Sequence, residues 1–223
     1  FEGSLQGETS ELAVEFSGAA SYDEPEIPID LELDFEGTIG GTLRTPVLET
    51  LLRNGRAEAF GHPVDFSAET LLVAVDSMTL DSVSLEGLEL AGEGLRISAD
   101  CAYAFSSGEW RASATAAMDG FDPSALSGAA PRADLNGTLT ASLRGTQAGP
   151  RSGSASISLA GSEFSGIPIS DLDASAYLEP GRWTLSAAGS SPGITAMVDA
   201  SGTSGMDLVP STFTGRLEAA VED

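Results

Sequence analysis

Apolar and polar residues alternate with a period of two along most of this 223-residue chain, and the rhythm restarts about a dozen times between breaks rich in Gly and Ser. Ile27, Ile29, Leu31, Leu33 and Phe35 hold alternate positions, with Glu26, Asp30, Glu32, Asp34 and Glu36 among those between them. Successive side chains of a strand point to opposite faces, so this segment is apolar on one side and acidic on the other. The pattern returns at Leu95, Ile97, Ala99, Cys101, Tyr103 and Phe105.

The alternation predicts strands near residues 3–7, 11–17, 26–36, 64–68, 70–76, 79–86, 94–105, 110–118, 134–144, 154–160, 172–178, 182–188, 194–200 and 213–221, most of them separated by Gly, Asn, Asp, Ser or Pro. Residues 94–105 are long for one strand, which predicts a bend or bulge near Ala102. Two short helices interrupt the series. Thr45 before Pro46 supplies a helix start, Val47, Leu48, Leu51 and Leu52 an apolar stripe and Gly55 a stop, so a helix is expected near 46–54. Asp122 before Pro123 repeats the start signal and predicts a second near 122–127. The fold class is therefore all-β, with one or two short helices.

Composition narrows the class further. Hydrophobic residues make up 41% of the chain, but aromatics only 6%, so the apolar surface is spread thinly along many strands. Against 34 Asp and Glu stand 10 basic residues, all Arg, and the net charge of -24 argues against nucleic acid and anionic lipid headgroups as partners. The acids mostly fill the polar positions of the alternating runs, where they keep sheet edges from pairing with other chains. Turn spacing is uniform from end to end, which predicts one continuous unit over 1–223; the strand-like residues near both ends are expected to lie inside a longer repeating sheet, as in an excised segment. No run approaches the ~18 apolar residues of a membrane helix.

Chemistry is hard to assemble from these residues. His62, before Pro63, has no second His or Cys pair with which to share a metal, and Cys101, in register with apolar neighbours, reads as a small buried hydrophobe. Residues 189–193, GSSPG, match a nucleophile-elbow pattern, but the strand-like Ile194, Ala196 and Val198 follow where a helix is needed, so a hairpin turn is expected. Asp171 and Asp173 sit in no calcium-loop pattern, and Asn136-Gly137-Thr138 matches a glycosylation acceptor without any other sign of that context. No catalytic residue, cofactor or metal is called for, and a binding or conduit role is expected rather than an enzyme.

Two segments carry more than composition. GEWRASATAAMDGFDPSALSGAAPRADLNGTLTASLRG, residues 108–145, joins a Trp-led strand to a short F-D-P helix, a proline-bearing loop and an L-N-G-T-L-T-A strand. SISLAGSEFSGIPISDLDASAYLEPGRWTLSAAGSSPGITAMVDASG repeats a strand, an S-x-F-x-G-x-P-I turn, a strand, a G-x-W strand and a closing Gly. Over roughly residues 64–221 this order resembles the AsmA-like and bridge-like lipid transport superfamily, and within it the TamB family of periplasmic proteins that connect the two membranes of diderm bacteria. The resemblance implies a β-taco, an elongated curled sheet of parallel or mixed strands forming an open, solenoid-like trough, apolar inside and polar outside. It also implies a periplasmic segment of an intermembrane bridge that conducts phospholipid acyl chains. The full-length protein would be anchored in the inner membrane and partner an outer-membrane barrel protein, while the segment would be able to self-associate through its sheet edges.

The expected lipid-lining face comprises Leu31, Leu33, Phe35, Val73, Val75, Leu95, Ile97, Tyr103, Phe105, Leu139, Leu143, Ile157, Leu159, Leu185, Ile194 and Val198. Two readings of it stay open. The face lines an open trough, or its side chains meet in a closed, packed interior, as in a structural β-solenoid stalk or adhesin.

Overall fold

The computed structural model describes residues 2–6, 13–23, 29–59, 62–77, 79–125, 130–204 and 212–221. Residues 7, 11, 12, 26–28, 126 and 127 of the expected elements lie outside these. The chain is all-β, and its contacts divide it into two units, residues 1–93 with 97–110 and residues 94–96 with 111–223.

The first unit contains β1 (Glu2–Gln6), β2 (Ala13–Asp23), β3 (Ile29–Gly41), β4 (Pro46–Ala59), β5 (His62–Asp76) and β6 (Thr79–Gly92), each paired antiparallel with the next, together with most of β7 (Leu95–Ala104). The second holds most of β8 (Glu109–Phe121), then β9 (Ala133–Thr146), β10 (Gly149–Phe164), β11 (Ile167–Glu179), β12 (Arg182–Ser191), β13 (Ile194–Gly202) and β14 (Thr214–Val221); from β9 onward each pairs antiparallel with the next. Within each unit strand order follows chain order, and the first and last strands of the unit are not paired with each other.

The antiparallel pairing replaces the parallel or mixed sheet that the family resemblance implied. Connections decide this. Parallel neighbours need crossovers of a dozen or more residues, whereas Phe164 and Ile167 face each other across two. Ser165 and Gly166 between them have φ of 52° and 80°, the left-handed pair that a tight hairpin needs. Pro192 and Gly193 likewise join β12 to β13, so the GSSPG segment is a hairpin.

The helix expected near 46–54 is instead the first part of β4. Its apolar doublets divide between two faces: Leu48 and Leu52 lie on one face with Thr50, Val47 and Leu51 on the other. A strand hydrogen-bonded to β3 on one side and β5 on the other satisfies backbone groups that a local helix signal cannot outweigh. The expected strands 64–68 and 70–76 are one strand, β5. The apolar positions change phase there, from Val64, Phe66 and Ala68 to Leu71 and Val73, because the β4–β5 register shifts at Leu52 and Thr50.

The second expected helix begins as placed, with a 3-10 turn at Pro123–Ala125 that is the only helix among the described residues. Asp122 Oδ1 accepts the Ser124 N–H at 3.0 Å and the Ala133 N–H at 3.1 Å, so one carboxylate ties the turn to the start of β9. These bonds, the Ser124 ones foremost, hold its pKa below the ordinary carboxylate value. Nearby, Asn136 and Ser162 brace the shifted register between β9 and β10: the Asn136 N–H donates to Ser162 Oγ, and that hydroxyl donates to the Asn136 carbonyl, at 2.9 and 3.2 Å.

Candidate functional site

Directly opposed residues of an antiparallel pair share a face, so the registers sort every side chain to one side or the other. In the second unit they align Leu139, Ile157, Ala174, Ala187, Val198 and Leu217 in one row across six strands. The neighbouring rows run Gly137, Leu159, Leu172, Gly189, Ala196 and Ala219, and Ala141, Ala155, Ala176, Leu185, Ala200 and Gly215. A fourth places Leu143 beside Gly153, Leu178 and Trp183. All four rows are apolar.

The other side of the same strands is polar. Thr140, Ser156, Ser175, Ser186, Asp199 and Arg216 form the row behind the first. Hydroxyls bond across the strands, Thr140 to Ser156 at 2.7 Å and Ser142 to Ser154 at 3.0 Å, and the Ser186 hydroxyl donates to Asp199 at 2.8 Å. Such a face needs no further partner than water.

Of the expected lining, Leu139, Leu143, Ile157, Leu159, Leu185 and Val198 are brought together on this apolar face. Ile194 joins them at its edge, opposite Ser191 and Val221. Burial is shallow. Leu159 is 5% exposed and Ala200 6%, whereas Leu139, Leu143 and Ile194 are exposed outright. At Gly189 the absent side chain leaves a depression of about 250 Å³ walled by Ile169, Leu172, Ala187, Ile194, Ala196 and Val198.

The first unit repeats the division with larger residues. Val14, Ile39, Leu48, Val73 and Val83 form one row, and Phe16, Gly37, Thr50, Leu71 and Leu85 the next. Phe35 stands between Gly18 and Leu52, and its ring centroid lies 6.1 Å from that of Phe16. Leu33 shares this face opposite Ala20, and Val75 lies opposite Leu80. Leu31 pairs with Tyr22 and Ala57 in the backbone register; its side chain is outside the described residues.

Glycines make room for these rings. A Cβ at Gly18 would stand 2.8 Å from Phe35 Cζ, one at Gly37 2.6 Å from Phe16 Cζ, and one at Gly55 2.4 Å from Phe66 Cζ. Rings therefore fill slots in their own face. The outer side bears Glu32, Asp34, Glu36 and Asp65, with Arg53 2.7 Å from Glu36 and Arg56 3.5 Å from Asp65. A hollow of about 550 Å³ beside them is lined by Glu32, Arg56, Asp65 and Glu89 together with Asn54, Ser67, Phe66 and Ala91.

Leu95, Ile97 and Tyr103 are half-buried along β7, while Phe105 lies just beyond its end, exposed, its ring 4.7 Å from that of Tyr103. Cys101 is exposed, against the expectation of a buried thiol: Asp100, next to it, accepts the Gly87 N–H at 2.9 Å, and two consecutive residues of β7 face solvent there. His62 opens β5 opposite Ala59.

Sequence reasoning missed Phe16, Leu48, Leu52, Leu71, Leu172 and Trp183 as face residues. Leu48 and Leu52 were hidden inside the helix signal, and the others become face residues only once cross-strand register is known. No family model, curated protein or solved structure matches the chain.

Proposed function

We propose that the apolar face of the second unit is a binding surface for lipid acyl chains, and that the chain is a periplasmic segment of a TamB-like intermembrane bridge along which phospholipid moves. One observation carries the reading: a six-strand face of Leu, Ile, Val, Ala and Gly on which Leu139, Leu143, Ile194 and Leu217 are exposed and only Leu159 and Ala200 are buried, backed by a mainly polar face. Burying a methylene is worth about 0.8 kcal/mol, so an acyl chain of about sixteen carbons in water costs on the order of 12 kcal/mol. A contiguous apolar strip offsets that cost.

The rows suit passage rather than capture. Dispersion and burial are non-directional, so a chain sliding from Leu139 toward Val198 exchanges one set of methyl contacts for another and breaks no hydrogen bond. Ala and Gly in the strip keep it smooth, and the headgroup stays in water beyond the strand ends. Nothing in this scheme calls for an activated nucleophile or a proton relay.

Native mass spectrometry of gently purified protein tests the reading. Copurified phospholipid is expected, and Leu139→Asp, at an exposed position of the face, is expected to reduce lipid occupancy severalfold while the fold is retained. Protein that carries no lipid from a membrane-containing source, or equal lipid on Leu139→Asp and the parent chain, contradicts it.

A further inference from the structure

The chain holds two asparagines, Asn54 and Asn136, and Gly follows each of them. A Gly at the next position leaves its peptide nitrogen open to the neighbouring side-chain amide, because no Cβ stands in the way. The two sites are held very differently. Asn136 is half-buried and clamped by five hydrogen bonds. Its Oδ1 accepts the Gly120 N–H at 2.8 Å, its Nδ2 donates to Asp134 Oδ1 at 3.0 Å and to the Gly161 carbonyl at 3.3 Å, and the Ser162 hydroxyl bonds both its N–H and its carbonyl. Asn54 is exposed, and its amide makes one hydrogen bond among the described residues, from Nδ2 to Asp34 Oδ2 at 3.3 Å. Its backbone also stands outside both ladders. The β3–β4 register passes from Asp34 with Arg53 to Glu32 with Arg56, and the β4–β5 register from Leu52 with Ala68 to Gly55 with Phe66, so Asn54 is the one residue of β4 with no register partner on either side. There φ is 49°, in the left-handed region.

We propose that Asn54 is a site of spontaneous covalent modification, at which the Gly55 backbone nitrogen attacks the Asn54 side-chain amide. The nitrogen bonds to Cγ and gives up its proton, the Cγ–Nδ2 bond breaks, and the amide nitrogen leaves as ammonia with that proton; a five-membered succinimide ring remains. Water then opens the ring at either carbonyl, giving aspartate or isoaspartate at position 54. Water is the only co-reactant. Aspartate replaces a donor to Asp34 with a second carboxylate beside it, and like charges so placed on neighbouring strands repel. Where isoaspartate forms, β4 gains a backbone methylene at its bulge, next to the slot in which Phe66 covers Gly55. Asn136 escapes the same chemistry because its amide must break three hydrogen bonds before Cγ can reach the Gly137 nitrogen. The site rests on the geometry of β4 and does not depend on what the apolar face binds.

Peptide mapping by mass spectrometry, after incubation of the 223-residue chain in mildly alkaline buffer, follows both sites in one sample. Conversion at position 54 is expected to run about tenfold or more faster than at position 136, since fewer bonds must open there. In urea, where both sites lie in an unfolded chain, the two rates are expected to agree within about threefold. Isoaspartate, detected by methyltransferase labelling, is expected to accumulate at position 54 of the parent chain and not in Asn54→Gln. Ser162→Ala removes two of the five bonds at Asn136 and is expected to raise conversion there severalfold while position 54 keeps its rate. The two-site comparison in the parent chain needs no variant to fold. No conversion at 54, a ratio of the two rates no larger in the folded chain than in urea, conversion without isoaspartate, or a Ser162→Ala chain with position 136 unmoved overturns the proposal.

Discussion

In the first unit the apolar face is built from large side chains on strands whose registers shift repeatedly, at β3–β4, β4–β5 and β5–β6; in the second, small side chains stand on strands that pair from β10 to β14 without a shift. The first unit fills its own face. Phe16, Phe35 and Phe66 lie over Gly37, Gly18 and Gly55, and Ala68 sinks to 1% exposure. The second has a dent at Gly189, one such slot where Leu143 lies over Gly153, and a graded exposure from Leu159 out to Leu217 at 71%. Similar alternation therefore produces two surfaces of different use: one consumes its apolar area in packing, and the other presents it.

The largest expected effect separates the inner from the outer positions of the second unit's face. Leu159→Asp sets a carboxylate between Gly137 and Leu172 at a buried site and is expected to cost about 3–5 kcal/mol, or to unfold the second unit, by urea titration. Leu217→Asp, on the same face but exposed, is expected to stay within about 0.5 kcal/mol of the parent. Equal costs would mean that the gradient across the face is not real.

Glycine slots sharpen the contrast between the units. A Cβ at Gly37 would lie 2.3 Å from the Glu49 carbonyl oxygen, which is backbone and cannot turn aside. Gly37→Ala is expected to cost about 1–3 kcal/mol through overpacking. A Cβ at Gly189 meets the Asp171 carbonyl oxygen at 3.0 Å and Leu172 Cδ1 at 3.1 Å, so Gly189→Ala is expected to cost less than about 1 kcal/mol and to fill part of the dent. Thermal unfolding of both variants tests the order.

How far the sequence foretold this follows from the same residues. Period-two alternation is a local property of the strand, and it placed thirteen of the fourteen strands, β5 in two pieces, although β2, β3, β6, β10 and β11 each run five or six residues beyond an expected end. It could not reveal β4, where Val47, Leu48, Leu51 and Leu52 repeat at helical spacing; only pairing with β3 and β5 decides that segment. Nor could it separate the two faces' uses. Leu33, Phe35, Leu139 and Val198 all read as alternating apolar residues, and whether a ring finds a glycine opposite depends on a register fixed by bulges and hairpins far along the chain.

The polar sides differ too, with smaller effects. Arg53→Ala removes an exposed pair with Glu36 and is expected to cost under about 1 kcal/mol, an effect that fades in molar salt; Ser186→Ala, losing a hydroxyl bond to Asp199, is expected to be about as small but less salt-sensitive. Smallest of all is the turn before β9. The pKa of Asp122 is lowered in the folded chain, so its contribution is present above the unfolded carboxylate value and is lost as pH falls through the folded one. Asp122→Asn is expected to remove that contribution, lowering stability above the carboxylate range by the smallest amount of the series and leaving it unchanged in acid below that range, as acid titration of the two proteins would register.

The most direct test of the central claim uses two adjacent residues on opposite faces of β13. Val198 lies in the apolar row between Ala187 and Leu217, whereas Met197 lies on the polar side and is the more exposed, at 48%. A photo-crosslinking residue at each, irradiated with phospholipid vesicles, is expected to yield lipid adducts at position 198 and few at 197, in the reverse order of exposure. Adducts that follow exposure instead, or none at 198, would contradict a lipid-binding face.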